Sequence, residues 1–222
     1  MTTFELAQFI DHTNLKSDAT THDIEKLCLD AIEFNFFSVC VNSSYVSLCK
    51  KFLGDNSKIK ICSVVGFPLG AMDTKAKTFE TKIAIQNGAN EIDMVINIGR
   101  FKSNDLEFVK NDIQKICELA HNENVLVKTI IETCLLNEEE KIVICNIAKN
   151  CRVDFVKTST GFSTGGAKVE DIILMKKIVG ENIGVKASGG IKTYDDVIKM
   201  IQNGASRIGT SSGVSILLQK IL

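Results

Sequence analysis

The sequence predicts an α/β protein whose strands close into a (β/α)8 barrel. Three observations carry that expectation. Short apolar segments alternate with longer amphipathic ones along the whole chain. Such alternation implies parallel strands joined by crossover helices. Eight of these units within 222 residues match a barrel in length. The competing arrangement, a doubly wound open sheet, usually has fewer strands. It also often shows GxGxxG after its first strand, which is missing here. The length suits one sizeable core, so residues 1–222 are expected to form a single barrel domain.

The expected strands, in order, are Phe9–Thr13, Ser38–Asn42, Lys60–Phe67, Glu91–Ile98, Leu126–Thr133, Asp154–Thr160, Gly184–Gly189 and Arg207–Ser211. Between them apolar residues recur at helical spacing. Ile24, Leu27, Cys28, Ala31 and Ile32 form one such stripe, and Leu106, Val109, Ile113, Ile116 and Leu119 form another. Helices are expected to stop at Asn35, Gly88, Asn150, Gly180 and Gly204, residue types that tolerate a left-handed C-terminal position. The phrase QNGA occurs twice, each time before a strand. It could echo two half-barrels, but a generic helix-to-strand loop is the simpler reading. Pro68 is the single proline, which leaves little room for a stiff hinge.

Composition excludes several classes. Apolar residues make up 45% and charged residues 24%, ordinary values for a soluble globular chain. A net charge of −1 gives no electrostatic case for nucleic acid or an anionic membrane as partner. No apolar run is long enough to span a bilayer. The start, MTTFELAQFIDHT, lacks the basic stretch and apolar core of a signal peptide. The eight cysteines form no CxxC pair and several lie in apolar runs such as SVCVN. Buried reduced thiols in a cytoplasmic protein are expected.

Period-two alternation places charges on the inner faces of several strands. EIDMVINI puts Glu91, Asp93, Val95 and Asn97 on one side. LVKTIIET groups Lys128, Ile130 and Glu132. The next two strands group Phe155, Lys157 and Ser159, then Gly184, Lys186 and Ser188. One such charge alone reads as a strand-end residue or a structural ion pair. Four strands in a row instead predict a mixed cluster of Lys128, Lys157, Lys186, Asp93 and Glu132, at the strand ends where barrels place their chemistry. A buried lysine beside a second cation loses its proton more easily and becomes a nucleophile toward aldehydes and ketones. Lys157 and Lys186 would supply that second cation for each other, and Asp93 would move protons. The pattern does not choose between the two lysines. His12, His22 and His121 are too dispersed to hold a catalytic metal, so neither a metal nor another cofactor is expected.

The loops SGGIKT and GTSSGV follow the last two strands, where barrels often hold phosphate on backbone N–H groups. Gly189 and Gly190 would allow close backbone approach, and Ser211 and Ser212 would add hydroxyls. Gly161, in TGFSTGGA, would add further N–H groups. Ser212 has a second reading, as the cap of the final helix.

Six segments in order then give a resemblance over almost the full length: IDHT (10–13), EIDMV (91–95), IIET (130–133), DFVKTSTGF (154–162), GVKASGGI (184–191) and RIGTSSG (207–213). The chain resembles the deoxyribose-phosphate aldolases, class I aldolases on a (β/α)8 barrel. The resemblance implies reversible, metal-free cleavage of 2-deoxy-D-ribose 5-phosphate to glyceraldehyde 3-phosphate and acetaldehyde. It implies Lys157 as Schiff-base nucleophile, Lys186 as the neighbouring cation and Asp93 as acid–base partner. Asp11, Thr13 and Thr160 would lie near the substrate, with Lys128 in the wider polar network. Gly161, Gly189, Gly190, Ser211 and Ser212 would hold phosphate. A phosphorylated sugar is the expected partner, and a homo-oligomer is compatible with the resemblance.

Departures are few. Asn14 and Ser17 replace a usual leucine and proline after IDHT. Phe162 stands where some relatives carry a phosphate-holding lysine. The chain ends QKIL and offers no terminal tyrosine for proton transfer. Cys40 is expected near the site, as a thiol open to reactive aldehydes. Two alternatives stay in play: another Schiff-base barrel aldolase or transaldolase, and a non-catalytic sugar-phosphate-binding barrel.

Overall fold

The computed structural model describes residues 1–55 and 57–221, apart from the side chain of residue 221. Leu222, the last residue of the QKIL ending, lies outside the described residues. Eight parallel strands close into a barrel in chain order, with β8 pairing back onto β1. They are β1 Ile10–Asn14, β2 Ser38–Val41, β3 Lys60–Val65, β4 Glu91–Val95, β5 Leu126–Ile130, β6 Phe155–Lys157, β7 Gly184–Ser188 and β8 Arg207–Thr210. All eight fall inside or within one residue of the expected segments. The helices are α1 Thr3–Ala7, α2 Thr21–Phe34, α3 Val46–Leu53, α4 Thr74–Gln86, α5 Ile98–Lys102, α6 Leu106–Asn122, α7 Glu138–Asn150, α8 Val169–Val179, α9 Tyr194–Gln202 and α10 Gly213–Ile221.

Local chemistry sets the helix ends. Thr20 with Asp23, Asn137 with Glu140, and Thr193 with Asp196 form reciprocal capping boxes at the starts of α2, α7 and α9. Each satisfies orphan N–H groups that the first helical turn leaves free. Five helices end alike. The N–H of Phe36, Ala89, Val125, Val153 and Ala205 bonds the carbonyl five residues earlier. The residue before each has positive φ: Asn35, Gly88, Asn124, Arg152 and Gly204. Both QNGA copies are therefore instances of one general helix-to-strand cap. α7 stops at Asn150 as expected, but the left-handed position falls to Arg152 rather than to Asn150.

The strands' outward residues, such as Ile92, Met94, Val127, Val156, Val185 and Ile208, are fully buried against the helices. Each such side chain contributes about 1.5–3 kcal/mol by leaving water. The barrel interior contributes differently. Beside β2 and β3 it holds a small apolar cluster of Leu15, Cys40, Cys62 and Val64. From β4 round to β1 it is filled by charged side chains. Buried ion pairs roughly break even against their desolvation, so the outer shell stabilises the fold and leaves the interior free for chemistry.

Asn97 and Glu132 correct the extrapolated inner faces. β4 stops at Val95, and Asn97 caps α5 by accepting from the Arg100 N–H. β5 stops at Ile130, and Glu132 turns left-handed (φ 54°) rather than extending the strand.

His12 faces outward from β1. Its ring packs on Phe36 at 4.7 Å, and Nε2 lies 3.6 Å from Asp30 of α2. Burial, opposed by the carboxylate of Asp30 and aided by Lys26, pushes the imidazole down to about 4. The unfolded chain, with a histidine near 6.5, binds the proton first, so stability falls as pH drops from about 6.5 toward 4. The expected loss is roughly 3 kcal/mol over that window. Denaturant titrations across the window are expected to show this slope in the wild type and a flatter one in His12→Gln.

Candidate active site

The register of the parallel strands assembles the site. Lys157 sits opposite Lys186, Lys186 opposite Arg207, and Asp93 opposite Lys128. All point inward, so residues distant in sequence meet around one carboxylate. Asp93 Oδ2 accepts from Lys157 Nζ and from Lys186 Nζ, each at 2.7 Å. Its Oδ1 accepts from Lys128 Nζ at 2.8 Å and from Cys62 Sγ at 3.1 Å.

A second tier completes the network. Lys186 Nζ also pairs with Asp11 Oδ2. Asp11 Oδ1 accepts from Ser38 Oγ at 2.6 Å and from Arg207 Nη1 at 2.8 Å. Arg207 reaches Glu91 at 3.1 Å, and Glu91 reaches Lys128 at 2.5 Å. The guanidinium lies over the rings of Phe37 and Phe155, at 3.6 and 5.2 Å. Gly184 makes room for Phe155, because a Cβ there would sit 2.2 Å from the ring. Gly209 does the same for Lys186, whose Cε would be 3.0 Å from such a Cβ.

Charge sets the protonation of this network. Burial opposes ionisation of Asp93, but Lys128, Lys157 and Lys186 outweigh it and hold the carboxyl well below the usual range. Burial likewise opposes the charge on Lys186, yet Asp11 and Asp93 raise its amine above the ordinary lysine value. Lys128 is raised in the same way, by Asp93, Cys62, Glu91 and Asp11 against burial. Lys128, Lys157, Lys186 and Arg207 are four cations, while Asp11, Glu91 and Asp93 are three carboxylates. Fully ionised, the network holds one positive charge too many. Lys186 and Lys128 each touch more than one carboxylate, whereas Lys157 shares only Asp93 Oδ2.

Lys157 also borders a cavity of about 770 Å³ at the C-terminal ends of the strands. The other amines of the network lie beneath it. Thr13, Thr160, Gly161, Gly189, Gly190, Ser211 and Ser212 line the same cavity. Asp11 and Lys128 do not line it. Both are fully buried in the network below, so Asp11 holds Lys186 rather than facing the cavity. Glu132 also departs from the expected lysine cluster. The chain turns left-handed at this residue, and its carboxylate accepts from Thr160 instead. Phe162 stands at the cavity wall with its ring edge-on to Phe67, centroids 5.2 Å apart.

The loops after β6 and β7 are stitched together by backbone and side-chain hydrogen bonds. Ala167 N–H bonds Gly189 O at 3.0 Å, and Ser188 Oγ donates to Ser159 O at 2.6 Å. Gly161, Gly189 and Gly190 all take positive φ, which a side chain would resist. A Cβ on Gly166 would fall 2.2 Å from Gly189 O. Gly166 thus fixes the height of the Gly189 loop, a role that its place in a glycine-serine run did not signal. Arg207 escaped notice too, because strand eight shows no alternation of charges.

Cys40 is fully buried and lines no part of the cavity. Cys40, Cys62 and Asp93 bring ligand atoms within 4.8 Å of one another. A divalent cation there would meet the three ammonium groups already bonded to Asp93, so charge disfavours it.

Comparison with known proteins agrees with this geometry. The sequence profile described as DeoC/LacD family aldolase matches residues 6–221. A deoxyribose-phosphate aldolase from Thermococcus kodakarensis is 56% identical over 214 residues, covering 96% of each chain. One from Finegoldia magna is 57% identical over 213 residues, covering 96% of this chain and 99% of its own. The tetrameric deoxyribose phosphate aldolase from Aeropyrum pernix superposes with a TM-score of 0.91 at 31% identity, covering 99% of this chain and 92% of its own. The chain therefore belongs to the DeoC/LacD family of aldolases.

Proposed function

We propose that the chain is a deoxyribose-phosphate aldolase, reversibly cleaving 2-deoxy-D-ribose 5-phosphate to D-glyceraldehyde 3-phosphate and acetaldehyde through a Schiff base on Lys157. One observation carries this reading. Three amines converge on Asp93, and among them Lys157 alone borders the cavity.

The Lys157 amine attacks the aldehyde carbon of the open-chain sugar, and loss of water from the carbinolamine gives an iminium. The electron pair of the neighbouring C–C bond then moves into the iminium. The substrate hydroxyl loses its proton, glyceraldehyde 3-phosphate departs, and an enamine remains. Protonation of the enamine carbon and addition of water release acetaldehyde and restore the amine. Lys186, held as an ammonium by Asp11 and Asp93, is the standing proton donor. Asp93 joins Lys186 to Lys157 through one oxygen and conveys the proton between them. Gly161, Gly189 and Gly190 present backbone N–H groups for the phosphate, joined by the hydroxyls of Ser211 and Ser212. Thr13 and Thr160 face the sugar hydroxyls, and Lys128 balances Asp93 from below.

A binding-only barrel would use the loops but not the buried amines. Another Schiff-base aldolase would use the amines on a longer sugar, and assay on fructose bisphosphate against deoxyribose 5-phosphate separates the two. The same reading extends to a single barrel domain, a cytoplasmic setting that suits eight unpaired cysteines, and a homo-oligomer like the Aeropyrum pernix protein. Leu69 and Phe79 are large exposed apolar residues available for such contact.

Borohydride reduction in the presence of acetaldehyde is expected to leave an ethyl group on Lys157, mapped by mass spectrometry. An adduct on Lys186 or Lys128 contradicts the assignment. Lys157→Ala is expected to abolish the adduct and lower cleavage by more than about 10³-fold. Gly166→Ala should push the Gly189 loop away and raise KM for the phosphorylated sugar, by up to about 100-fold. An unchanged KM would remove that loop from phosphate binding.

A further inference from the structure

Glu132 is a buried carboxylate that the mechanism above does not use. It takes left-handed φ and ψ of 54° and 66°, which a non-glycine residue adopts only when its surroundings impose it. Two backbone hydrogen bonds impose it here. Ile131 N–H bonds Lys157 O at 3.0 Å, and Thr133 N–H bonds Thr158 O at 2.9 Å. The turn is thereby clamped across β6, and the carboxylate is aimed at Thr160. Glu132 accepts the Thr160 N–H at 3.3 Å and the Thr160 hydroxyl at 2.5 Å.

The consequence lies in the remaining capacity of that hydroxyl. A threonine hydroxyl has one proton and two lone pairs. Its proton is committed to Glu132, and one lone pair accepts the Phe162 N–H at 3.0 Å. One lone pair is left, on a residue of the cavity wall. Thr160 stands three residues beyond Lys157 and directly before Gly161, between the amine and the phosphate loop.

We infer that Glu132 is a positioning residue for substrate specificity: it fixes the Thr160 hydroxyl as an acceptor for the substrate hydroxyl that lies between the reacting carbon and the phosphate. The inference rests on the aldolase reading and adds to it a residue that never touches the sugar. An acceptor aldehyde lacking that hydroxyl leaves the lone pair unpartnered, so the site discriminates against it.

The test measures acetaldehyde addition to glyceraldehyde 3-phosphate and to 3-phosphooxypropanal, which lacks the hydroxyl. The readout is the ratio of the two kcat/KM values. Glu132→Leu is expected to lower the wild-type ratio at least about tenfold. Glu132→Gln, which still offers an acceptor oxygen, should keep most of it. Thr160→Val should match Glu132→Leu, and the double variant should be no worse than either, since the two residues act as one unit. Should Glu132→Leu fail to fold, Glu132→Asp withdraws the carboxylate from Thr160 and carries the same expectation. An unchanged ratio in Glu132→Leu or Glu132→Asp, or additive losses in the double variant, would overturn the inference. Acetaldehyde trapping on Lys157 of the wild type reports separately on the aldolase reading.

Discussion

One carboxylate organises this barrel. Asp93 accepts hydrogen bonds from three lysines that arrive from three different strands. Without a shared anion, three ammonium groups this close would repel strongly in a low-dielectric interior. With it, each lysine is drawn to a fixed point, and the parallel register does the rest. The outer shell of aliphatic residues tolerates this arrangement because the interior is not needed for hydrophobic stabilisation. The small groups at Gly184 and Gly209 have the same origin. They give Phe155 and Lys186 the room to build the floor beneath the reactive amine.

The lower tier gives the upper tier its chemical character. Arg207 cannot lose its proton under ordinary conditions, so its charge is a permanent feature of the floor. It holds Asp11 and Glu91, which in turn hold Lys186 and Lys128. The carboxylates are thus divided among cations that are fully enclosed. Lys157 receives the smallest share and faces the cavity. The network's one unmatched positive charge thus falls at the amine able to meet substrate. Function here follows from an imbalance placed at one position.

Much of this was legible in the sequence because strand periodicity is strict. Lys128, Lys157, Lys186 and Asp93 could be assigned to the interior from alternation alone, and all four converge. The pattern failed where strands end. Asn97 and Glu132 keep the right parity but lie past the last paired residue, where the chain turns. Arg207 was hidden because its strand offers no second charge to mark the face. The buried Lys77–Asp112 pair joining α4 to α6 was hidden for another reason. Both residues sit in polar helical stretches, where charge normally signals solvent. Gly166 shows a third limit, since a glycine required by a close backbone approach looks like any loop glycine until the facing loop is placed.

The central claim is that the charge balance of the floor beneath Lys157 governs how readily its amine reacts. The rate of reductive trapping by acetaldehyde at one fixed pH, compared between the wild type, Arg207→Met and Glu91→Gln, tests this most directly. Both changes lie in the floor, away from the cavity, and they alter its charge in opposite senses. The account predicts trapping slowed roughly tenfold when the guanidinium is removed and quickened by a similar factor when the carboxylate is neutralised. Rates that stay put, or that move in the same direction, would contradict it.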